Sequence, residues 1–561
     1  MKTFSFALAF CILSGVASRA VDPIRLVHRW EQEPDLGTSW QEVPPLFTPI
    51  IRPDRFSSPL QIIRLNEAQS AIRNADNRRL QGGEQSLPVL LEQLRSLPKN
   101  RPARMSLAAA AIALAKPDHS EQLWERLRND EATRPLIERA LIDWKLPLGL
   151  ENWRKRLRND IQESPDLLLA IEGIGATGNR QDQKGLEALL RNDSCSIAMK
   201  LVIARALARV APSGLESLAT DVWNTNIEHR ELLAAELLSH HTSDSARDIL
   251  MRVVKADHLP AQRAAYDSIA KNFPVLAREQ AGDMLRRPDN RLRLIAVEVL
   301  NAHDDVDSLR LQAVGLEDRN TLVRNTVREN MIRKAMSPHL RPVVDEVITY
   351  QLRGKSQEAI KQAIKLAVAL QQTEHCPQLL SLLEYPQAET TVFAAWALQE
   401  LAVAPEVIEG IYKFTEPTTQ RLKDRAGVSE LEILRQSFLF EALGRNLYKP
   451  ATNSLKLYIP KDNHKMGRIS RASAIWALGK ILRGSQDEGL AKQLAERMND
   501  EDYALLEFNL VRYNATVALG WIGASSSLDD LKRVPYTPPE PLGISCKWAL
   551  EQFQASSETN R

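Results

Sequence analysis

Residues 471–481 read RASAIWALGKI and residues 512–522 read RYNATVALGWI, so one pattern occurs twice near the carboxyl end of the chain. Both copies carry Ala-Leu-Gly, and their apolar residues recur at the spacing of one helix face. A pattern that returns at intervals of tens of residues is typical of a solenoid, in which each unit buries its apolar face only against its neighbours. The two copies therefore predict a stack of helices rather than one closed core.

Weaker copies of this pattern extend along the chain. The alanine of the Ala-Leu pair, or a residue in its place, recurs at intervals of roughly 27 to 45 residues, which suits pairs of antiparallel helices. Asp193, Asp289 and Asp318 precede second helices and are expected to cap their free amide groups. We expect the recurring positions to lie in the second helix of each pair: Ala113, Ala140, Ala170, Ala206, Glu236, Ile269, Val299, Asn330, Ala369, Ala397, Ala442, Ala477 and Ala518.

The repeated units resemble HEAT repeats, and the Ala-Leu-Gly-x-Ile copies near 474–481 and 515–522 resemble the variety called PBS lyase HEAT-like repeats. The resemblance covers most of residues 60–534 and is specific over the last two copies. It implies an all-α fold, a right-handed, armadillo-type α-solenoid of about 12–14 antiparallel helix pairs with a concave and a convex face. Members of this family range from scaffolds to chromophore lyases and a di-iron hydroxylase, so the resemblance implies a fold and not an activity.

The chain divides into four segments in sequence. Residues 1–20 resemble a secretory signal peptide, because a lysine precedes an apolar run and small residues follow it; an uncleaved anchor or a buried first helix is the alternative. Residues 21–59 are rich in proline and are expected to form an extended arm, or a flexible leader that docks on a partner. Residues 60–534 are the predicted solenoid. Residues 535–561 are expected to hold a Pro-rich stop, a short helix at Cys546–Phe553 that caps the array or binds a partner, and a disordered tail.

Composition limits the class of protein. The 561 residues carry 73 basic and 71 acidic side chains, a net charge of +2, and this balance argues against a nucleic-acid partner. Export would place the protein in the periplasm or outside the cell, with no membrane span in the mature chain. Cys195, Cys376 and Cys546 allow at most one disulfide there. The stack is therefore expected to depend on packing rather than on covalent bonds.

Two groups of basic residues have a functional and a structural interpretation. Arg154, Lys155, Arg156 and Arg158 follow Trp153, a combination that can hold phosphate, although charge runs on solenoid helices usually face solvent. A second group of arginines near the start of the second helices forms either a basic row for anionic ligands or a set of ion pairs with turn aspartates that keep the repeats in register. Its members are Arg134, Arg230, Arg263, Arg293, Arg324, Arg471 and Arg512.

No complete catalytic motif occurs in the sequence, and we expect no cofactor, metal or catalytic residue. The histidines His240, His241 and His303 are the best nucleus for an enzyme, if they cluster with Asp244 or Asp305. The hydroxylase of the resembling family carries repeated His-Glu steps as iron ligands, and this chain contains none. The bilin lyases are a distant alternative.

The loops within repeats are predicted to grow longer after about residue 400, at 415–427, 460–465 and 499–503, and per-repeat insertions in solenoids often form the binding face. Neutral variation of surface loops is the alternative explanation. The leading hypothesis is an exported scaffold that binds a protein or peptide partner along its concave face or this rim, without catalysis. The alternatives are an enzyme with residues converging from several repeats, of metal-assisted or lyase type, and a structural part of an envelope or surface assembly. The predicted rim consists of Lys423, Arg425, Lys461, His464, Asp502 and Tyr503.

Overall fold

The computed structural model describes residues 87–96, positions 105, 108–109, 111–112 and 115, and residues 117–159, 163–424, 428–461, 466–500, 506–535 and 541–559. The predicted signal peptide and Pro-rich arm lie outside these residues, as does the anchor position Ala113. The chain forms two compact units that meet in sequence between Gly315 and Leu316. All regular elements among the described residues are helical.

The described helices of the amino-terminal unit are α1 (Leu87–Ser96), α2 (Ser120–Leu127), α3 (Arg134–Asp143), α4 (Leu150–Asn159), α5 (Pro165–Thr177), α6 (Gln183–Leu190), α7 (Ile197–Val210), α8 (Glu216–Trp223), α9 (Arg230–Leu237), α10 (Asp244–Lys255), α11 (Leu259–Asn272), α12 (Pro274–Met284), α13 (Asn290–Asn301) and α14 (Val306–Ala313).

Those of the carboxy-terminal unit are α15 (Thr321–Lys334), α16 (Arg341–Leu352), α17 (Gln357–Ala369), α18 (Cys376–Ser381), α19 (Ala388–Leu401), α20 (Pro405–Lys423), α21 (Glu430–Arg445), α22 (Thr452–Lys456), α23 (Arg468–Ile481), α24 (Glu488–Met498), α25 (Asn509–Ile522), α26 (Leu528–Arg533) and α27 (Pro541–Thr559).

Even-numbered and odd-numbered helices play different parts in the packing. From α5 to α13, and again from α17 to α27, each odd helix packs on the even helix before it and on its odd neighbours in the same unit, while α3 packs on α2 and α5, and α15 packs on α17. Each unit is therefore a row of helix pairs in which the odd helices form one continuous layer. This arrangement confirms the predicted all-α, HEAT-like solenoid. Apart from Ala113, all the predicted anchor positions lie in odd helices.

The Ala-Leu-Gly pattern has a direct structural cause. A Cβ atom on Gly479 would lie 2.6 Å from the Cα of Ala518 in the next odd helix, and one on Gly520 would lie 2.9 Å from the Cα of Ala549. Gly444 meets Ala477 in the same way, at 2.7 Å. No side chain fits between helices at such distances. In each such contact, which we call a seam, the glycine of one copy therefore faces the anchor alanine of the next.

Capping agrees with the prediction at one position and differs at two. Asp289 caps α13 by accepting a hydrogen bond from the amide of Leu292 at 2.8 Å. At α7 the cap is Ser196 rather than Asp193, and at α15 it is Asn320 rather than Asp318. At these two helices the cap lies three and two positions after the expected residue, because several polar residues stand side by side in each turn.

The carboxy-terminal unit contains more helix than the sequence predicts. Thr415 to Pro417, expected to begin a loop, lie inside the 19-residue helix α20. The helix continues through the proline within a largely buried face, where the Thr415 hydroxyl donates to the carbonyl of Tyr412 and the Thr419 hydroxyl to the carbonyl of Thr415, at 2.8 and 3.1 Å. The last helix, α27, runs to Thr559, so the tail expected to be disordered from Gln554 is helical up to that residue.

Cys195, Cys376 and Cys546 are buried, and none of them forms a disulfide with another described cysteine. Noncovalent contacts therefore join the described repeats. None of the described helices has the length and hydropathy needed to cross a membrane.

Candidate partner-binding surface

The row of arginines at the starts of odd helices is occupied by structural contacts. Arg263 pairs with Asp289, the cap of the next odd helix, and Arg134 pairs in the same way with Asp166. Other members donate to backbone carbonyls of their own turn: Arg230 to Thr225, Arg293 to Arg287 and Pro288, Arg324 to Asp318, and Arg512 to Met498, at 2.6 to 2.9 Å. The arginines therefore hold neighbouring helices in register, and the basic-row interpretation is wrong for them.

The basic stretch after Trp153 is also used internally. Arg154 donates to both carboxylate oxygens of Asp182, at 2.7 and 3.1 Å, and Arg156 pairs with the buried Glu138. Trp153 is fully buried, with Gly149 and Gly173 against its ring. Arg154 and Arg156 are thus committed to ion pairs, whereas Lys155 and Arg158 are exposed.

His241, Asp244 and Asp305 each take part in a local structural contact. His241 is buried and accepts a hydrogen bond from the amide of Leu215 at 3.4 Å, and burial lowers its pKa. Asp305 caps α14 and pairs with Arg278 at 2.7 Å, while Asp244 pairs with Arg247 at 2.7 Å. Among the described residues, no three His, Cys, Asp or Glu side chains are grouped as metal ligands.

One histidine contact was missed by the sequence analysis. The Nδ1 of His229 and the Nε2 of His258 lie 2.8 Å apart. His258 caps α11 by accepting at Nδ1 from the amide of Ala261, so its Nε2 carries the hydrogen and donates to His229. The pair joins two neighbouring helix turns. The two histidines lie 29 positions apart in the sequence, and no sequence motif predicts their contact.

Of the six predicted rim residues, the structure describes two. Lys423 is exposed at the end of α20, whereas Lys461 pairs with Asp500 at 2.6 Å and is only 14% exposed. Arg425, His464, Asp502 and Tyr503 lie outside the described residues. The rim as a partner surface stays a prediction.

A buried polar path fixes the connections behind that rim. Arg471 is fully buried, pairs with both oxygens of Glu507 at 2.7 Å, and donates to the carbonyls of Tyr458 and Ile459 at 3.0 Å. The Tyr458 hydroxyl in turn accepts from Gln436 at 2.7 Å. The path from Gln436 through Tyr458 and Arg471 to Glu507 therefore links three successive helix pairs. The Glu507 carboxylate neutralises the buried positive charge of Arg471.

A different surface, on the odd helices of the carboxy-terminal unit, collects half-buried cations and aromatic rings. The Lys365 ammonium on α17 lies 5.0 Å from the ring centroid of Phe393 on α19, and Trp396 stands one helical turn further along that helix. Arg445 on α21 then pairs with Glu400 of α19 at 3.4 Å. Through these contacts, the outward-facing residues of α17, α19 and α21 lie side by side.

The surface continues over the last three odd helices. The rings of Trp476, Trp521 and Trp548 meet edge to face, with centroids 5.8 and 5.9 Å apart. The Lys480 ammonium lies 4.4 Å from the Trp521 ring and 5.5 Å from the Trp476 ring, a cation–π arrangement. Trp476 and Trp521 are nearly buried, and Trp548 is half-buried. We call the odd-helix face the surface formed by Lys365, Phe393, Trp396, Arg445, Lys480 and Trp548.

No protein-family model matches the chain, and no curated protein matches it significantly. Several solved structures are similar in fold. Kap95p bound to RanGDP is 14% identical, with 91% of this chain and 72% of that chain covered and a TM-score of 0.42. Yeast importin-beta (Kap95p) is 14% identical, with 89% of this chain and 71% of that chain covered and a TM-score of 0.37. Kap121p is 10% identical, with 86% of this chain and 55% of that chain covered and a TM-score of 0.44. The chain thus spans about half the length of Kap121p. A likeness of this degree concerns the helical-repeat fold alone.

Proposed function

We propose that the protein is a non-catalytic scaffold that holds an extended segment of a protein partner on the odd-helix face. The observation that carries the proposal is the alternation of half-buried cations and aromatic rings across consecutive odd helices. Tryptophan and arginine are enriched among the side chains that dominate protein interfaces, because a large flat group buries much area at little entropic cost. Phe393, Trp396 and Trp548 supply such groups.

The spacing of the face suits an extended chain. Packed helices lie about 8–10 Å apart, and an extended chain advances about 3.3–3.6 Å per residue. One helix pair therefore meets a new side chain of the partner about every three residues. Lys365 and Lys480, which stack on rings, favour a segment that carries negative charge.

Export and the lack of catalysis belong to the proposal. Export is supported by the lysine, apolar run and small residues of positions 1–20, and the lack of catalysis by a sequence without a complete catalytic motif. Amino-terminal sequencing of the native protein tests export, with cleavage near residue 20 as the expected result. An intact Met1 in the native protein would contradict it.

The binding proposal is tested with a phage-displayed library of unstructured 12-residue peptides selected on the full chain. Trp396→Ser and Trp548→Ser should each weaken the selected peptides at least about tenfold, which is the cost of one interface anchor. Tyr350→Ser is the matched control, because Tyr350 is a 71% exposed aromatic residue on the even helix α16. Peptides that bind the face variants as well as they bind the wild-type protein would overturn the proposal.

A further inference from the structure

Four cationic side chains meet on two neighbouring odd helices at one end of the odd-helix face. Arg324 and Arg328 lie one turn apart on α15, and Lys361 and Lys365 lie one turn apart on α17. Arg324, Arg328 and Lys361 are only 10%, 18% and 11% exposed. The low exposure means that little water screens their mutual repulsion.

Two carboxylates balance most of this positive charge. Glu358 pairs with Arg324 at 3.0 Å and with Lys361 at 2.8 Å, and Lys361 also reaches Glu389 of α19 at 3.2 Å. Arg328 donates to the amide oxygens of Asn325 and Gln362, at 3.0 and 2.8 Å, and lies 3.9 Å from the exposed carboxylate of Glu329. Glu358 and Glu389 thus lie around Lys361, and Glu329 lies at Arg328.

Lys365 differs from its three neighbours. Within the described residues it forms no ion pair, and its ammonium lies against the Phe393 ring. Burial, and then the charges of Arg328, Lys361 and Arg324, lower its pKa to about 8, against which Glu358 acts only weakly. A half-buried ammonium without an acceptor is costly, and an oxyanion beside it would offset that cost.

We propose that Lys365, with Arg328 and Lys361 beside it, receives a carboxylate of the protein segment held on the odd-helix face. The inference rests on the function proposed above and specifies the partner: an acidic side chain next to an apolar one. Phe393 and Trp396 accept the apolar neighbour, because they continue the same surface on α19. The segment binds with its acidic residue over α15 and α17.

The test follows the reactivity of individual lysines in the full chain. Trace acetic anhydride labels free amines, and mass spectrometry gives the rate at each lysine between pH 7 and pH 10. Lys365 should titrate near its lowered pKa of about 8. Saturating capped hexaglutamate should raise this midpoint by at least about one unit, and labelling at pH 8 should slow about fivefold. Hexaglutamine and inorganic phosphate are the comparison probes.

Lys413 is the internal control, because it is 71% exposed and already paired with Glu409. Unchanged labelling of Lys365 with hexaglutamate overturns the inference, as does equal slowing of Lys413. Protection by phosphate as strong as that by hexaglutamate also overturns it, since a small oxyanion would then suffice. Loss of the selected peptides in Trp396→Ser without protection of Lys365 overturns only this inference, whereas peptides indifferent to Trp396 overturn both proposals.

Discussion

Ion pairs join neighbouring helices in both units, as Arg263–Asp289 and Arg445–Glu400 show, but among the described residues successive Gly–Ala seams occur in the carboxy-terminal unit alone. In the amino-terminal unit, partly exposed ion pairs such as Arg263–Asp289 and Arg278–Asp305 join one helix pair to the next. In the carboxy-terminal unit, three successive seams bring glycine against alanine, and a fully buried Arg471–Glu507 pair ties the connections together. One seam of the amino-terminal unit, Gly175 against Ala206, is also built from backbone.

This difference explains why the repeat is clearly recognisable in the sequence only near the carboxyl end. Many combinations of charged residues and carbonyl groups can join two helices, so an ion-paired contact leaves little trace in the sequence. Direct approach of two backbones admits only the smallest residues. Such seams therefore require Gly and Ala at fixed positions, and the Ala-Leu-Gly pattern results from this requirement.

The largest expected effect concerns the buried pair of the carboxy-terminal unit. Glu507→Ala leaves the Arg471 guanidinium buried without a carboxylate, and we expect a loss of about 3–5 kcal/mol in unfolding free energy. Urea unfolding followed by tryptophan fluorescence measures it. Glu409→Ala, in an exposed pair with Lys413, should cost less than about 1 kcal/mol. Equal costs for the two variants would remove the contrast between buried and exposed pairs.

The second prediction concerns alkaline pH. The folded-state pKa of Lys365 is about 8, below its ordinary value of 10.5. Between these values the unfolded chain still binds a proton that the folded chain has lost, so stability rises with pH. Wild-type protein should gain up to about 3 kcal/mol over Lys365→Met between pH 8 and pH 10.5. Lys365→Arg, whose charge does not titrate there, should lack this gain as Lys365→Met does; equal pH profiles for the wild-type protein and Lys365→Met would contradict the prediction.

The third prediction compares one glycine from each unit. Gly479→Ala places a Cβ 2.6 Å from the Cα of Ala518 and should destabilise the protein by about 1–3 kcal/mol through separation of α23 and α25. Gly282→Ala, in α12, meets only Leu311 at 3.5 Å and should stabilise by up to about 1 kcal/mol. Denaturation midpoints give both values. A stabilising Gly479→Ala would show that the seams have room for a side chain.

The smallest effect belongs to an ion pair of the amino-terminal unit. Burial raises the pKa of Asp289, but hydrogen bonds from Arg263 and the Leu292 amide outweigh it, and the pKa is lowered. The carboxylate therefore adds stability above its unfolded-state pKa, and this stability is lost as the pH falls through the lower folded value. Asp289→Asn keeps an N-cap acceptor and should cost less than about 1 kcal/mol at pH 7.

Hydrogen exchange of peptides from α11 and α13 between pH 2 and pH 7 follows this difference. It should shrink as the pH falls and the native carboxylate takes up a proton. Asp248→Asn, at an exposed position of α10, is the control and should change nothing. A difference that stays constant from pH 7 to pH 2 would show that Asp289 acts through shape rather than charge.

The sequence was sufficient for the architecture because helical spacing of apolar residues reports burial directly. It was less reliable where tertiary contacts override local preference. Pro417 breaks helices in general, yet α20 continues through it, within a face where Thr415 and Thr419 are buried and hydrogen-bonded. Trp548-Ala549-Leu550 repeats Trp476-Ala477-Leu478 and could have been read as one more copy rather than a cap.

The candidate surface could be predicted much less well. The contact between Lys365 and Phe393 spans two helices and depends on how each is rotated about its axis, which spacing alone does not fix. The arginine row was expected to meet turn aspartates, and Arg263 does meet Asp289. Arg293 and Arg512 instead meet backbone carbonyls, which every residue carries and no side-chain pattern reveals.

The seam between Gly479 and Ala518 brings the backbones of α23 and α25 into direct contact. These helices therefore cannot move closer together, and moving apart would break the contact. Flexing of this stretch must instead open the opposite side, where Glu488 of α24 accepts from Ser525 and Ser526, and Asn499 donates to Asp530 of α26. These exposed bonds exchange readily with water. We therefore expect this part of the molecule to flex by the spreading of α24 and α26, with α23 and α25 as the axis.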